Sequence, residues 1–150
     1  MDSLAQLPLR IALGLVFLGH GSQKALGWFD GAGIEGTLGL VKGTLGLEPA
    51  ILWAYLAAYG ELFGGLLVLL GLATRFGALN IAATMFFAIF MVHWGNFFAQ
   101  HNGIEYPLTL FCGAVTLLIA GGGKLSVDGW ISQTCFETEP DPMDDSDPLR

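Results

Sequence analysis

Residues Ala50 to Ala73 read AILWAYLAAYGELFGGLLVLLGLA, an apolar run broken by one charged side chain, Glu61. A helix rises 1.5 Å per residue, so crossing about 30 Å of hydrocarbon takes about 20 residues of this kind. The run is long enough. Glu61 lies eleven residues from Ala50 and twelve from Ala73, at its centre. A carboxylate at that depth costs about 2.5–3.5 kcal/mol on insertion scales, so it must turn inward, find a donor or carry a proton. The run therefore predicts a membrane helix and a second helix to receive its acid.

Three more segments have the length and apolarity to span, Leu4–Phe29, Phe76–Phe98 and Ile104–Gly123. Short links at 73–75 and 100–103 make consecutive helices tight hairpins. The expected fold is all-α, a four-transmembrane-helix up-down-up-down bundle. The Asp30–Pro49 connection is too polar to span and repeats Gly-Thr-Leu-Gly-Leu at 36–40 and 43–47. Ile34, Leu38, Val41 and Leu45 fall at helical spacing, which predicts a short amphipathic helix in this outer loop, lying on the membrane surface.

Composition agrees with lipid as the solvent: 53% of residues are hydrophobic and 13% charged, against about 25% charged in soluble domains. Of the net charge of -7, residues 137–150 hold six acids against Arg150, and residues 1–136 hold seven acids against five bases. The chain thus divides into a membrane domain, 1–128, and an acidic tail, 129–150, whose few apolar residues do not offset the entropy of ordering, so that it is expected to be disordered. Arg10 follows the apolar start of the chain, unlike the basic residue of a cleaved leader, so the first helix is expected to be retained. Arg10, Arg75, Lys124 and Arg150 fall on one side of a four-span arrangement and Lys24 and Lys42 on the other. That bias places both termini in the cytoplasm of a multi-pass inner (cell) membrane protein. Trp28, Trp53, Trp94 and Trp130 near helix ends fit headgroup-level anchors.

Several classes are disfavoured. Lys and Arg do not cluster as nucleic-acid binding needs. Cys112 and Cys135 form no CxxC pair. Gly19, Gly21 and Gly27 follow no strand, so they are no dinucleotide fingerprint. No haem, flavin or metal motif is evident, since His20 and His93 lack a ligand spacing. The phenylalanines Phe86, Phe87, Phe90, Phe97 and Phe98 read as packing or lipid contacts.

The ionisable residues carry the functional reading. Arg10, Gly14, Phe17, Gly21 and Lys24 recur at spacings of 4, 3, 4 and 3, one narrow helix face with a cation toward each end and small residues between. Gly60 and Gly64 flank Glu61 and would admit a close helix. His20, Lys24, His93, His101 and Glu105 gather toward the outer ends of their helices. Such a cluster suits a small polar-headed molecule in the membrane, such as quinone or quinol. Glu61 is then the proton-exchanging acid, Arg10 a structural counter-ion, and His20, Lys24, His93 and Glu105 are the headgroup ligands. The competing reading is a non-catalytic assembly subunit whose polar residues only hold the bundle together. A cavity bordered by Glu61 and the histidines would favour a site, and direct pairing would favour architecture.

These residues also carry a resemblance. Arg10 with Gly14, Phe17, Gly21 and Lys24; Glu61-x-x-Gly64-Gly65 followed by Gly71-Leu72-x-Thr74-Arg75; His93; and Gly121-Gly122-Gly123-Lys124-Leu125-Ser126-Val127-Asp128 together resemble the DoxX family of small four-helix membrane proteins, over about Leu7 to Asp128. Where the family's closing motif more often has Pro and Arg, this chain has Gly122 and Lys124, a departure expected to bear on the membrane boundary. The resemblance implies a membrane component of a redox system, linked in some members to quinone-coupled oxidation of sulfur compounds or to oxidative-stress complexes. Partners would then be the lipid bilayer and proteins of a redox complex, with an oligomer compatible. Whether the chain is an enzyme by itself is left open.

Overall fold

The computed structural model describes residues 4–136, which form six α-helices and no strand. They are α1 (Gln6–Leu26), α2 (Gly33–Leu40, continued by a π turn at Val41–Leu45), α3 (Ala50–Leu70), α4 (Thr74–Phe87, continued by a π turn at Ala88–Val92), α5 (Glu105–Ala120) and α6 (Val127–Phe136). The Ala50–Leu70 and Thr74–Val92 helices are long and apolar enough to cross a membrane. That is two where four were expected: α1 carries Arg10 and Lys24, and α5, with 16 residues, reaches about 24 Å at 1.5 Å per residue.

α1 packs along α3, α4 lies between α3 and α5, and α5 closes back on α1. Gly14 sits against Leu69 and Gly21 against Leu62. Seven residues forward in α1 thus match seven backward in α3, and the two helices are antiparallel. Glycine is required at this seam: a Cβ on Gly14 would stand 2.6 Å from the Leu69 Cβ, and one on Gly65 would stand 2.7 Å from the Leu18 nitrogen. The core between the four long helices contains Leu13, Phe17, Val68, Ile81, Met85 and Leu117.

Outside that core the usual polarity is reversed. Arg10, Ser22, Thr37, Glu61, Thr74 and Ser126 are buried, while Ile11, Leu15, Ile51, Leu52, Phe63, Phe76 and Ile119 are exposed. Charged groups facing inward and large apolar groups facing outward are what hydrocarbon surroundings require.

The outer-loop helix is present as α2 with its π turn. Its predicted stripe of Ile34, Leu38, Val41 and Leu45 packs with Ala50, Trp53 and Ala54 at the start of α3. Thr37 ties it to α1, its hydroxyl donating to the Lys24 carbonyl at 3.2 Å.

Three expectations are corrected. The span read as Phe76–Phe98 begins at Thr74 and leaves the helix after Val92. Gly95 has φ 115, and the 94–104 segment folds into its own turn, with the Ile104 N–H donating to Asn96 O and the Glu105 N–H to Phe97 O. Trp53 is no headgroup anchor, because its indole packs under α2 with the ring 6.1 Å from Phe87; Trp28, Trp94 and Trp130 are exposed. The segment expected to be disordered from residue 129 is helical through Phe136. Ser126 starts that helix, its hydroxyl accepting from the Gly129 N–H at 2.9 Å, a capping contact that does not depend on apolar content. The rest of the tail, 137–150, lies outside the described residues.

Candidate functional site

The α1/α3 register brings Lys24 to Glu61. The ammonium Nζ donates to the Glu61 Oε1 at 2.5 Å. Glu61 is fully buried and the Lys24 side chain about one-third exposed (34%). The second carboxylate oxygen, Oε2, is buried with no hydrogen-bond partner among the described residues. The sequence puts Glu61 at mid-helix, but the register sets it near the C-terminal end of α1, because the first turns of α3 extend past α1 and are covered by α2. Lys24, expected as a headgroup ligand, is therefore the counter-ion.

Arg10, expected as a structural counter-ion, has the Asp128 carboxylate within electrostatic reach and makes its hydrogen bonds to the backbone. It is buried (2% exposed) and donates to four carbonyls: Val68 O at 3.0 Å, Leu69 O at 3.0 Å, Gly122 O at 3.0 Å and Leu125 O at 2.6 Å. The first two belong to the last turn of α3, where carbonyls lack helical partners and the helix dipole favours a cation. Gly71 follows with φ 71, and a side chain there would run into the guanidinium. Asp128 completes the cluster. Its carboxylate accepts from the Ala73 N–H at 2.7 Å, the Thr74 N–H at 2.8 Å and the Thr74 hydroxyl at 2.8 Å, capping α4. Gly122, whose departure from the family pattern was expected to matter at the membrane boundary, lies inside this cluster: its carbonyl takes Arg10, and a Cβ there would stand 2.6 Å from the Thr74 Oγ1.

Among the described residues none of the other expected ligands hydrogen-bonds Glu61. His20 is exposed on a shallow depression with Leu15, Val16, Gln23 and Phe29. His93 turns its Nδ1 to the Asn102 carbonyl at 3.0 Å. Glu105 opens α5, and His101 is exposed in a short 3-10 turn. Gly60 has open space where a Cβ would go, and Gly64 faces the Gly77 carbonyl of α4; Gly65 is the residue that admits α1. Sequence reasoning passed over Tyr106, which lies within electrostatic reach of Glu61. It also passed over Asn80 and Thr84, polar residues one turn apart in an apolar helix, which line a cavity with Trp53. That spacing was the available signal.

The DoxX family description matches residues 5–94, which is α1 to the end of α4. CatD of Bacillus subtilis (strain 168), provisionally named as an oxidoreductase, is 34% identical over 128 residues, covering 85% of this chain and 87% of CatD. No solved structure matches. With more than half of its length matched by the family and most of its length by CatD, the chain belongs to the DoxX family.

Proposed function

We propose that this chain is a membrane subunit of a redox system in which Glu61 takes up and releases a proton. Membership of a membrane-associated family and the oxidoreductase naming of CatD support the redox setting. One observation carries the role of Glu61: the carboxylate is wholly buried, yet among the described residues only one of its oxygens has a partner. A buried charge persists only while it is compensated. Lys24, reaching from buried carboxylate to surface, sets that compensation; when the ammonium turns outward, Glu61 takes the proton.

The redox partner is a quinone or quinol, or a soluble oxidoreductase that the subunit anchors. A quinone, when bound, supplies two-electron, two-proton chemistry, and the ammonium-carboxylate pair with its spare oxygen suits proton exchange beside it. The test is quinone-linked electron transfer in the purified complex reconstituted with a short-chain benzoquinone. Glu61→Gln is expected to slow turnover at least tenfold, about 1.4 kcal/mol in barrier. Unchanged turnover in Glu61→Gln overturns the reading.

A second reading has its own observation. Lys24 and Glu61 pair directly, and the cavity lined by Trp53 does not border Glu61, as an architectural role in a non-catalytic assembly subunit would have it. In that case Lys24→Met/Glu61→Gln, which is neutral and of similar shape, leaves turnover of the assembled complex intact.

We also propose four spans with both termini cytoplasmic in the inner membrane. The start of α1, the α3/α4 turn and the α5/α6 link meet around Arg10 and Asp128, which puts three segments expected on one side at one end. Single cysteines at Gln100 and at Ser132, in a chain with Cys112 and Cys135 replaced by serine, are expected to be labelled from opposite faces of sealed vesicles. Labelling from the same face overturns the topology.

A further inference from the structure

We propose that Glu61 exchanges its proton with one aqueous face only, the one at the α2 end of the bundle, and that Lys24 is the carrier. The inference rests on the proton-exchange reading of Glu61 and adds the side and the route. Lys24 stands two residues before Leu26, the last residue of α1, about 3 Å along the axis. A lysine stem lies along apolar surface while its head reaches water. Here the ammonium sits on Glu61 Oε1 with 34% of the side chain exposed, against 1% for Glu61, so the pair joins the buried oxygen to the rim.

The opposite direction is closed. Leu69, whose carbonyl takes Arg10, lies eight residues beyond Glu61, about 12 Å along α3. Over that length α1 and α3 meet backbone to backbone: a Cβ on Gly21, Gly65 or Gly14 would stand 2.4, 2.7 or 2.6 Å from the facing helix. The side chains packed there, Leu13, Phe17 and Val68, are buried and apolar. A bridging water needs room and about two to four polar partners, and this seam supplies neither. At its end Arg10 is held on four carbonyls, and a guanidinium does not give up a proton. Among the elements packed around Glu61, α1 brings Lys24 to it and α5 brings Tyr106 within electrostatic reach. α2 contributes Glu35, which is exposed, and α4 contributes Arg75, which is held on Ile119 O at the far end.

In the step a Lys24 N–H bond breaks and a Glu61 O–H bond forms, which removes two charges from a buried place at once. The neutral amine turns outward and takes a proton from water at the rim. The net change is one proton from the α2 face onto Glu61, and release runs the same path in reverse. A redox partner coupled to Glu61 therefore draws its proton from that face or discharges it there.

The test is time-resolved infrared spectroscopy of sealed membrane vesicles bearing the full chain, prepared right-side-out and inverted, after a drop in the outside pH. The carboxylic C=O band that is missing from Glu61→Gln reports Glu61. It is expected to rise promptly in the preparation whose outer surface is the face on which Gln100→Cys is labelled, and in the other only after the interior pH has followed. Lys24→Arg keeps the charge but cannot hand over a proton. It is expected to slow the rise about a hundredfold, the low end of what a positioned proton donor contributes, where a purely structural lysine would leave the rate unchanged. The vesicle comparison uses the native Lys24 and does not depend on that variant folding. An equally prompt rise from the face of Ser132→Cys, or an unslowed Lys24→Arg, overturns the one-sided route and leaves proton exchange at Glu61 standing. A band that rises from neither face overturns both.

Discussion

The two ends of the α1/α3 seam hold the same kind of group in opposite ways. At one end Arg10 makes four hydrogen bonds to the carbonyls of Val68, Leu69, Gly122 and Leu125, with the Asp128 carboxylate within electrostatic reach. At the other end Lys24 meets one oxygen of Glu61, and the second has no donor among the described residues. A planar guanidinium with five donors suits a fixed array of carbonyls, whereas an ammonium on a flexible stem suits a partner it leaves and regains. The well-satisfied end ties α1 to the end of α3, and under the proposed function the other end is where a proton moves.

Breaking the Arg10 end is expected to have the largest effect. Arg10→Met strands several buried carbonyls, each worth about 1–3 kcal/mol when unpaired. Little folded protein is expected, scored as loss of the monodisperse peak in detergent; a well-folded Arg10→Met protein would show the cluster to be dispensable. Next comes Lys24→Met, which leaves Glu61 uncompensated and is expected to cost about 3 kcal/mol. Adding Glu61→Gln should recover most of that loss in thermal unfolding, and simple additivity of the two changes would refute direct coupling.

Smaller effects sharpen the contrast along the seam itself. Gly65→Ala pushes a Cβ into α1 and is expected to cost about 1–3 kcal/mol by overpacking. Asp128→Asn keeps the shape of the α4 cap but removes its charge, an expected loss of about 1 kcal/mol. Gly60→Ala, in open space on the same helix as Gly65, is expected to be neutral or to stabilise by up to about 1 kcal/mol. If Gly60→Ala and Gly65→Ala destabilise equally in the same melting assay, the assignment of α1 to the Gly65 face is wrong.

Much of this was legible in the residues. The alternation of cations and glycines from Arg10 to Lys24 predicted an inward face, and Gly14, Phe17 and Gly21 are buried on it. The outer-loop helix followed from four apolar residues at helical spacing. The exit of α4 at Val92 did not, because apolar content continues through Phe98 while the backbone turns at Gly95. The partners of Arg10 were also hidden, since they are backbone carbonyls, which every residue has and no sequence pattern marks.

By itself the sequence determined that the chain is helical, that its polarity is turned inward, and that Glu61 needs a partner or a proton, because an uncompensated charge in hydrocarbon is costly. Only the tertiary structure decided which cation serves. Periodicity assigns a residue to a helix face but not to a height against its neighbour. The glycine-to-leucine contacts of α1 and α3 set that height, bringing Lys24 level with Glu61 and Arg10 level with the carbonyls at the end of α3.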